Sequence, residues 1–272
     1  MELKIFSANA SGNVTLFVTT PVERIKYGAF AQRLLNDPEL NGEQVAYIVP
    51  DSNPSWDGKF EMCGLEFCCN ATRSFGLYLA LSQRKQNNLA ANEFSVKVHA
   101  SGMREIMTVS GNLKTRWVSV LLPPPLSIAR RTILIQRQSI QCTMVEMDGI
   151  GHVVLMDLEF DDSLADSIHE IFQKESDPVA MGVLFYNSID KSMIPVVYVR
   201  EVETKFLEGS CGSGTAALAC ALSYEKPDGR YRYDTKQPQG ELSSEAIIKD
   251  GRVTSVTVDG IIDIEPIKTV VI

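Results

Sequence analysis

The pattern of apolar and polar positions along the chain is mostly that of strands. Leu3–Ala8 and Val14–Thr19 carry apolar residues at strand spacing on either side of a turn at Ala10–Asn13, which predicts a hairpin-like opening. Between Val22 and Leu35 the period lengthens. Val22, Ile25, Phe30, Leu34 and Leu35 recur at roughly helical spacing and Asn36-Asp37-Pro38 ends the run, so the first helix falls at 22–35. Strands follow at Glu43–Pro50 and Lys59–Met62, separated by a polar loop at 51–58. A helix is predicted from Cys68 to about Gln83, a polar loop at 84–92, and strands at 94–100, 103–110 and 116–122. The second half repeats this order: strands at 131–136, 140–147 and 152–158, a helix at 163–172, strands at 179–186 and 193–200, and a helix after Cys211. Strands at 229–234, 240–248, 252–258 and 261–264 close the pattern, separated by Gly and Asp turns.

Between the two halves stands Pro123-Pro124-Pro125. Three consecutive prolines cannot donate to a sheet ladder and favour an extended connector. This places a domain boundary there, with an N-terminal lobe at 1–124, completed by a strand at 265–272 that crosses back, and a C-terminal lobe at 125–264. The 272 residues are enough for two such lobes. The expected fold class is α+β: two pseudo-symmetric lobes, each an antiparallel sheet wrapped around a long central helix, with the active site in the cleft between them.

Composition changes this picture little. Hydrophobic residues at 44% and charged residues at 22% describe an ordinary globular chain, and a net charge of −8 argues against a nucleic-acid partner. Arg130-Arg131 is too short a basic run to alter that. No apolar run approaches the roughly 18 residues of a membrane span, and the start of the chain has no basic region followed by an apolar block, so no membrane association and a cytoplasmic location are expected. Six cysteines (63, 68, 69, 142, 211 and 220) then read as reduced thiols.

Two of those thiols stand out. Cys211 sits in Glu208-Gly-Ser-Cys-Gly-Ser-Gly-Thr, directly ahead of the helix-forming run Ala216–Leu222. Gly212, Ser213 and Gly214 leave backbone N–H groups free to converge, so the positive end of the helix can hold an anion and lower a cysteine pKa. Cys68 precedes Cys69-Asn70-Ala71-Thr72 in the same way, about half a chain length earlier, so a duplicated fold would bring two helix N-termini and two thiols to one cleft. Cys63 competes with Cys68, but the residues after it, Leu65-Glu66, do not repeat the pattern.

These motifs resemble those of the diaminopimelate epimerase fold family, which includes pyridoxal-independent amino-acid racemases, and the resemblance runs the length of the chain. Cys68-Cys69-Asn70 matches the family's Cys-Gly-Asn with Cys in place of Gly, and Cys211-Gly212-Ser213-Gly214 matches its second motif throughout. Gly12-Asn13 and Glu43-Gln44 match two further turns and strands, Glu66 meets the acidic position before the first cysteine, and His152 is similar to the family's histidine in the second lobe. The positions that hold a distal amino-acid group in diaminopimelate epimerases are Leu65, Ile150 and Gly182 here, and the family's Glu-Arg pair is Glu201-Val202. The chain is accordingly more similar to the histidine racemases of this family, including those of opine metallophore biosynthesis.

The resemblance implies racemisation at Cα, of L-histidine to D-histidine, with Cys68 and Cys211 as thiolate base and thiol acid and with no cofactor or metal. It implies substrate binding by Asn13, Glu43, Gln44, Cys69, Asn70, His152, Glu201, Gly212 and Ser213. The α-carboxylate would lie on the amides near Cys69-Asn70 and Gly212-Ser213, and Glu43, Glu201 or His152 would orient the amine. A mostly apolar side-chain pocket is expected around Leu65, Ile150 and Gly182. The expected partner is a small amino acid, and the family's dimers leave room for a homodimer. Diaminopimelate epimerase, proline racemase or a dehydratase of the same fold is the alternative within enzymes. A thiol redox switch and a metal site at Cys63, Cys68 and Cys69 are the alternatives outside them.

Overall fold

The computed structural model describes residues 1–87, 91–176 and 178–272. The fold is mixed α+β and dominated by sheet. The first half runs β1 (Glu2–Ala10), β2 (Asn13–Val18), α1 (Tyr27–Leu35), β3 (Gln44–Val49), β4 (Gly58–Met62), α2 (Cys69–Asn87), β5 (Glu93–Ala100), β6 (Met107–Asn112) and β7 (Trp117–Leu122). The second runs β8 (Ser127–Ile135), β9 (Gln138–Met147), β10 (Ile150–Met156), α3 (Asp162–Ser176), β11 (Ala180–Asn187), β12 (Ser192–Val199), β13 (Thr204–Leu207), α4 (Gly212–Ser223), β14 (Gly229–Gln237), β15 (Gly240–Lys249), β16 (Arg252–Ile264) and β17 (Lys268–Val271).

The sheet is mixed where antiparallel pairing alone was expected. β2 pairs with β3, β4 with β5, β10 with β11 and β12 with β14 in parallel. The reason is the connections: α1, α2, α3 and α4 each lie in the crossover of one parallel pair, and parallel strands need such a crossover. The remaining pairs are hairpins or returns. Each half contains two such helix-bearing parallel crossovers.

The first half closes on itself. β1 to β7 pair in chain order, β7 pairs with β16, and β16 pairs with β1, which makes a ring of eight strands. β17 adds to the outside of the β1 hairpin, with Glu2 opposite Val271. β16 was expected as two strands with a turn at Asp259-Gly260, yet it is continuous. Arg232 binds the Asp259 carboxylate at 3.0 and 2.9 Å, and a Cβ at Gly260 would lie 2.8 Å from Leu242 and from Ser11 Oγ. The two residues that read as turn formers are held in the sheet by a charge pair and by a close approach.

Both long helices are buried on all sides near their N-termini. α2 packs against β1, β2, β5, β6, β7 and β16, and residues 69–77 are buried. α4 packs against β9, β10, β14, β15 and β16, with 212–220 buried. A helix apolar or small all round is a buried helix, and the Ala, Gly, Ser and Cys of both sequences let the sheet approach closely. α2 continues to Asn87, past the expected end; residues 88–90 of the predicted loop lie outside the described residues. α1 starts at Tyr27, after a short 3₁₀ turn at Arg24–Lys26. Among the described residues no helix is long and apolar enough to cross a membrane.

Candidate active site

The N-termini of α2 and α4 abut. A Cβ added at Gly212 would come within 2.7 Å of Asn70 Oδ1 and 3.0 Å of Cys69, so the junction has room for hydrogen only. Asn70 Nδ2 donates to the Ser210 carbonyl at 2.9 Å, and Arg73, fully buried, donates to Asn70 Oδ1 at 2.9 Å. One buried amide thus ties the two cysteine segments together.

Each cysteine caps its helix. The amide of Ala71 donates to Cys68 Sγ at 3.4 Å, and that of Gly214 to Cys211 Sγ at 3.3 Å. Gln237 accepts the Cys211 N–H at 2.6 Å and donates to Thr215 Oγ1 at 2.9 Å, which fixes the second cap from β14. Helix geometry leaves the first-turn amides of Cys69 and Asn70, and of Gly212 and Ser213, without intrahelical acceptors. Cys63 lies in the turn after β4 and caps nothing; burial pushes its thiol up to about 12.

A chain of polar contacts runs from one thiol to the other. Cys68 Sγ donates to Gln44 Oε1 at 3.0 Å, Gln44 Nε2 donates to Glu208 Oε1 at 2.7 Å, and the Glu208 carboxylate lies close enough to the Cys211 thiol to raise its pKa. Glu208 is 7% exposed, and burial pushes its carboxyl up to about 8. Glu43 lies beside it, also raised by burial, and takes a hydrogen bond from Asn13 Nδ2 at 3.3 Å. The expectation that the helix ends lower the thiol pKa values is corrected here. Both thiols are held well above their usual range, first by burial and next by the Glu208 carboxylate, and these outweigh the single amide at each sulfur.

A cavity of about 550 Å³ opens on this group. Glu43, Gln44, Cys68, Cys69, Asn70, Glu201, Cys211, Gly212 and Ser213 all line it, together with Ile150, Val197, Val199 and Phe206. Glu201 stands exposed at its edge. Asn13 is buried behind Glu43 and reaches the cavity through it. His152 is not among the lining residues. It is fully buried on β10, packed over Gly182, with neither ring nitrogen bonded among the described residues, and burial lowers it to about 3. Its imidazole therefore fills the space that Gly182 was expected to leave to a substrate. Leu65, at φ +60°, packs against the core around α1, so Ile150 alone of the three expected pocket residues lines the cavity.

Glu208 and Glu66 also line the cavity; neither was among the residues assigned to binding, although Glu66 meets the acidic position before the first cysteine. The signal for Glu208 was its place three residues before Cys211, but the partner that gives it meaning, Gln44, is 164 residues away. All six cysteines are free, and among the described residues no group of three or more His, Cys, Asp or Glu is placed to hold a metal ion.

Residues 2–267 match the family model described as the histidine racemase CntK N-terminal domain. A histidine racemase from Fusobacterium nucleatum subsp. nucleatum is 27% identical over 249 residues, 88% of each chain, and one from Staphylococcus aureus is 25% identical over 239 residues, covering 86% of this chain and 85% of the relative. Among solved structures, a hydroxyproline epimerase from Agrobacterium vitis with bound trans-4-hydroxy-L-proline superposes with a TM-score of 0.66 at 12% identity, over 99% of this chain and 92% of that one. A phenazine biosynthesis protein of the PhzF family from Bacillus anthracis gives 0.65 at 11% identity over the full length of both. These likenesses show a shared fold. On the match of almost its whole length, the chain is an isomerase that racemises an amino acid, and it belongs to the histidine racemase CntK N-terminal domain family.

Proposed function

We propose that the chain racemises histidine at Cα, with Cys68 and Cys211 as the two acid–base groups and without a cofactor. The reading rests above all on two capped thiols at abutting helix ends, with Cys68 bonded through Gln44 to Glu208, whose carboxylate acts on Cys211. The histidine racemases among its relatives support the substrate. The architecture proposed with it is two pseudo-symmetric lobes, 1–124 completed by 265–272 and 125–264, each a sheet wound about a central helix, α2 or α4.

Proton loss from Cα is difficult because negative charge must develop beside a carboxylate, so stabilisation has to come from fixed donors. The first-turn amides of Cys69, Asn70, Gly212 and Ser213 hold the α-carboxylate and take up the developing charge. The ammonium lies against Glu43 and Glu208, with Glu201 at the entrance. Cys211 transfers its thiol proton to Glu208, whose carboxyl titrates near the working pH, and the resulting thiolate removes the α-proton. Cys68, held as a thiol by Gln44 Oε1, delivers its proton to the opposite face. The electron pair left on Cα forms the new C–H bond, and the roles reverse for the other enantiomer.

The test is proton NMR in D2O with reduced enzyme, with L-histidine and diaminopimelate offered separately, alongside Cys211→Ser. Loss of the histidine α-proton signal that disappears in the variant is expected. Exchange of diaminopimelate alone would refute the substrate, and unchanged histidine exchange in the variant would refute the thiol.

A further inference from the structure

One acidic group in the cavity has no task in the two-thiol reaction. Glu66 stands in the turn between β4 and α2, two residues before Cys68, and is 7% exposed. The neighbouring amides of Glu66 and Gly64 only partly offset the rise that burial imposes on its carboxyl. One of its oxygens, Oε2, is buried and has no partner among the described residues. It lies at an apolar wall: a Cβ added at Gly64 would meet this oxygen at 2.7 Å, Val199 at 2.6 Å and Val202 at 3.4 Å, and both valines line the cavity. The titratable groups whose charge Glu66 affects are Cys63, Cys68 and Glu208, all of them acids. Among the described residues no side chain supplies it with a positive charge.

Buried polar atoms are satisfied as a rule, and one left open in a ligand cavity marks where a ligand's donor belongs. We propose that Glu66 is the specificity-determining residue for the substrate side chain: its Oε2 accepts the N–H of an imidazole whose carbon edge packs on Val199 and Val202. This deepens the histidine reading and rests on it. The α-ammonium, the other donor that histidine brings, is bonded to Cα and belongs with the thiols and Glu43.

The chemistry of the two groups matches. Burial holds the Glu66 carboxyl at about 7, and an imidazole titrates at roughly 6.5. Once ionised, the carboxylate accepts the ring N–H in a charge-assisted hydrogen bond. A ring of the same size without the N–H leaves the oxygen buried and unpaired. Sites built to hydrogen-bond a substrate group reject analogues that lack it by up to about 10⁴–10⁵-fold, far beyond what an apolar pocket achieves.

The experiment compares Kd values for L-histidine and L-β-(2-thienyl)alanine, whose ring is similar in size and has no N–H, in the wild type, Glu66→Gln and Glu66→Leu. The wild type is expected to prefer histidine by about 100-fold or more. Glu66→Leu should lose most of that preference, with histidine weakened and thienylalanine held or improved. Glu66→Gln, which preserves shape and can still accept one N–H, should fall between and decides the matter if the leucine variant does not fold. Equal weakening of both ligands would place Glu66 at the amine or in the fold and overturn the proposal, as would an unchanged ratio. Absence of histidine exchange by the wild type would overturn the histidine reading itself, and is seen before any variant is made.

Discussion

Cys68 and Cys211 cap their helices alike and lean on opposite chemistry. Each sulfur receives one amide from the first turn of its helix. Beyond that, Cys68 faces a neutral amide, Gln44, while Cys211 faces a buried carboxyl, Glu208. Cys68 keeps part of its surface open, whereas Cys211 is 3% exposed. Their surroundings differ as well: α2 lies against a ring of strands that closes, while α4 lies against strands for which no such closure forms among the described residues. The two caps are alike, and the side chains of Gln44 and Glu208 make the two sulfurs unequal. A two-base racemase needs this, because one sulfur must hold a proton while the other has lost it.

The largest effect that would break the comparison is removal of either thiol. Cys68→Ser and Cys211→Ser are each expected to lose about 10²–10⁴-fold in kcat for histidine racemisation, and the double variant little more, because the two act as a unit. Polarimetry against wild type measures this. Additive losses would mean that the thiols act independently.

Next, Glu208→Gln should lower kcat/KM by about 100-fold and remove the limb of its pH profile that reports deprotonation near 8, since the proton acceptor for Cys211 is gone. Gln44→Leu should cost about 10-fold and leave that limb in place, because the amide only orients. If both variants move the pH profile equally, the difference between the two sulfurs is not located in these side chains.

Smaller still is the effect at the junction. Gly212→Ala would push a methyl group against Asn70 Oδ1 and Cys69 and part the helix ends. A loss of about 1–3 kcal/mol in stability is expected, read from denaturant unfolding, with a rise in KM as the carboxylate site opens.

The smallest effect is on stability against pH. The Glu66 and Glu208 carboxyls titrate at about 7 and about 8 in the folded chain, against roughly 4.3 unfolded. Between those values the folded chain holds protons that the unfolded chain has released, so this contribution is full at low pH and is lost as pH rises through 7 and 8. Tm of the ligand-free protein should fall from pH 6 to pH 9, at roughly 2–4 °C for each kcal/mol lost. Glu208→Gln should flatten the upper part of that fall, and a Tm that climbs over this range would contradict both shifts.

The elements that were legible in the sequence are those whose signal is local. A cysteine followed by small residues and a helix-forming run specifies its own cap, so Cys68 and Cys211 could be picked out and Cys63 set aside. What was not legible depends on partners far along the chain. Glu208 lies three residues before Cys211 in sequence, but only the fold brings it to Gln44. His152 has the composition of a site residue, and its burial over Gly182 is set by the parallel register of β10 and β11. Asp259-Gly260 reads as a turn by local propensity, and Arg232 and Leu242 override it. The parallel pairs belong in the same class, since strand periodicity carries no direction.

The measurement that bears most directly on the two-thiol account is isotopic. L-Histidine is converted in D2O for less than a tenth of the way to equilibrium, and the two enantiomers are separated and weighed by mass spectrometry. Two acid–base groups on opposite faces predict D-histidine with one deuterium at Cα and remaining L-histidine that is unlabelled. Protium retained in the product, or label entering both enantiomers at equal rates, would mean that one group serves both faces, and the assignment of separate roles to Cys68 and Cys211 would be wrong.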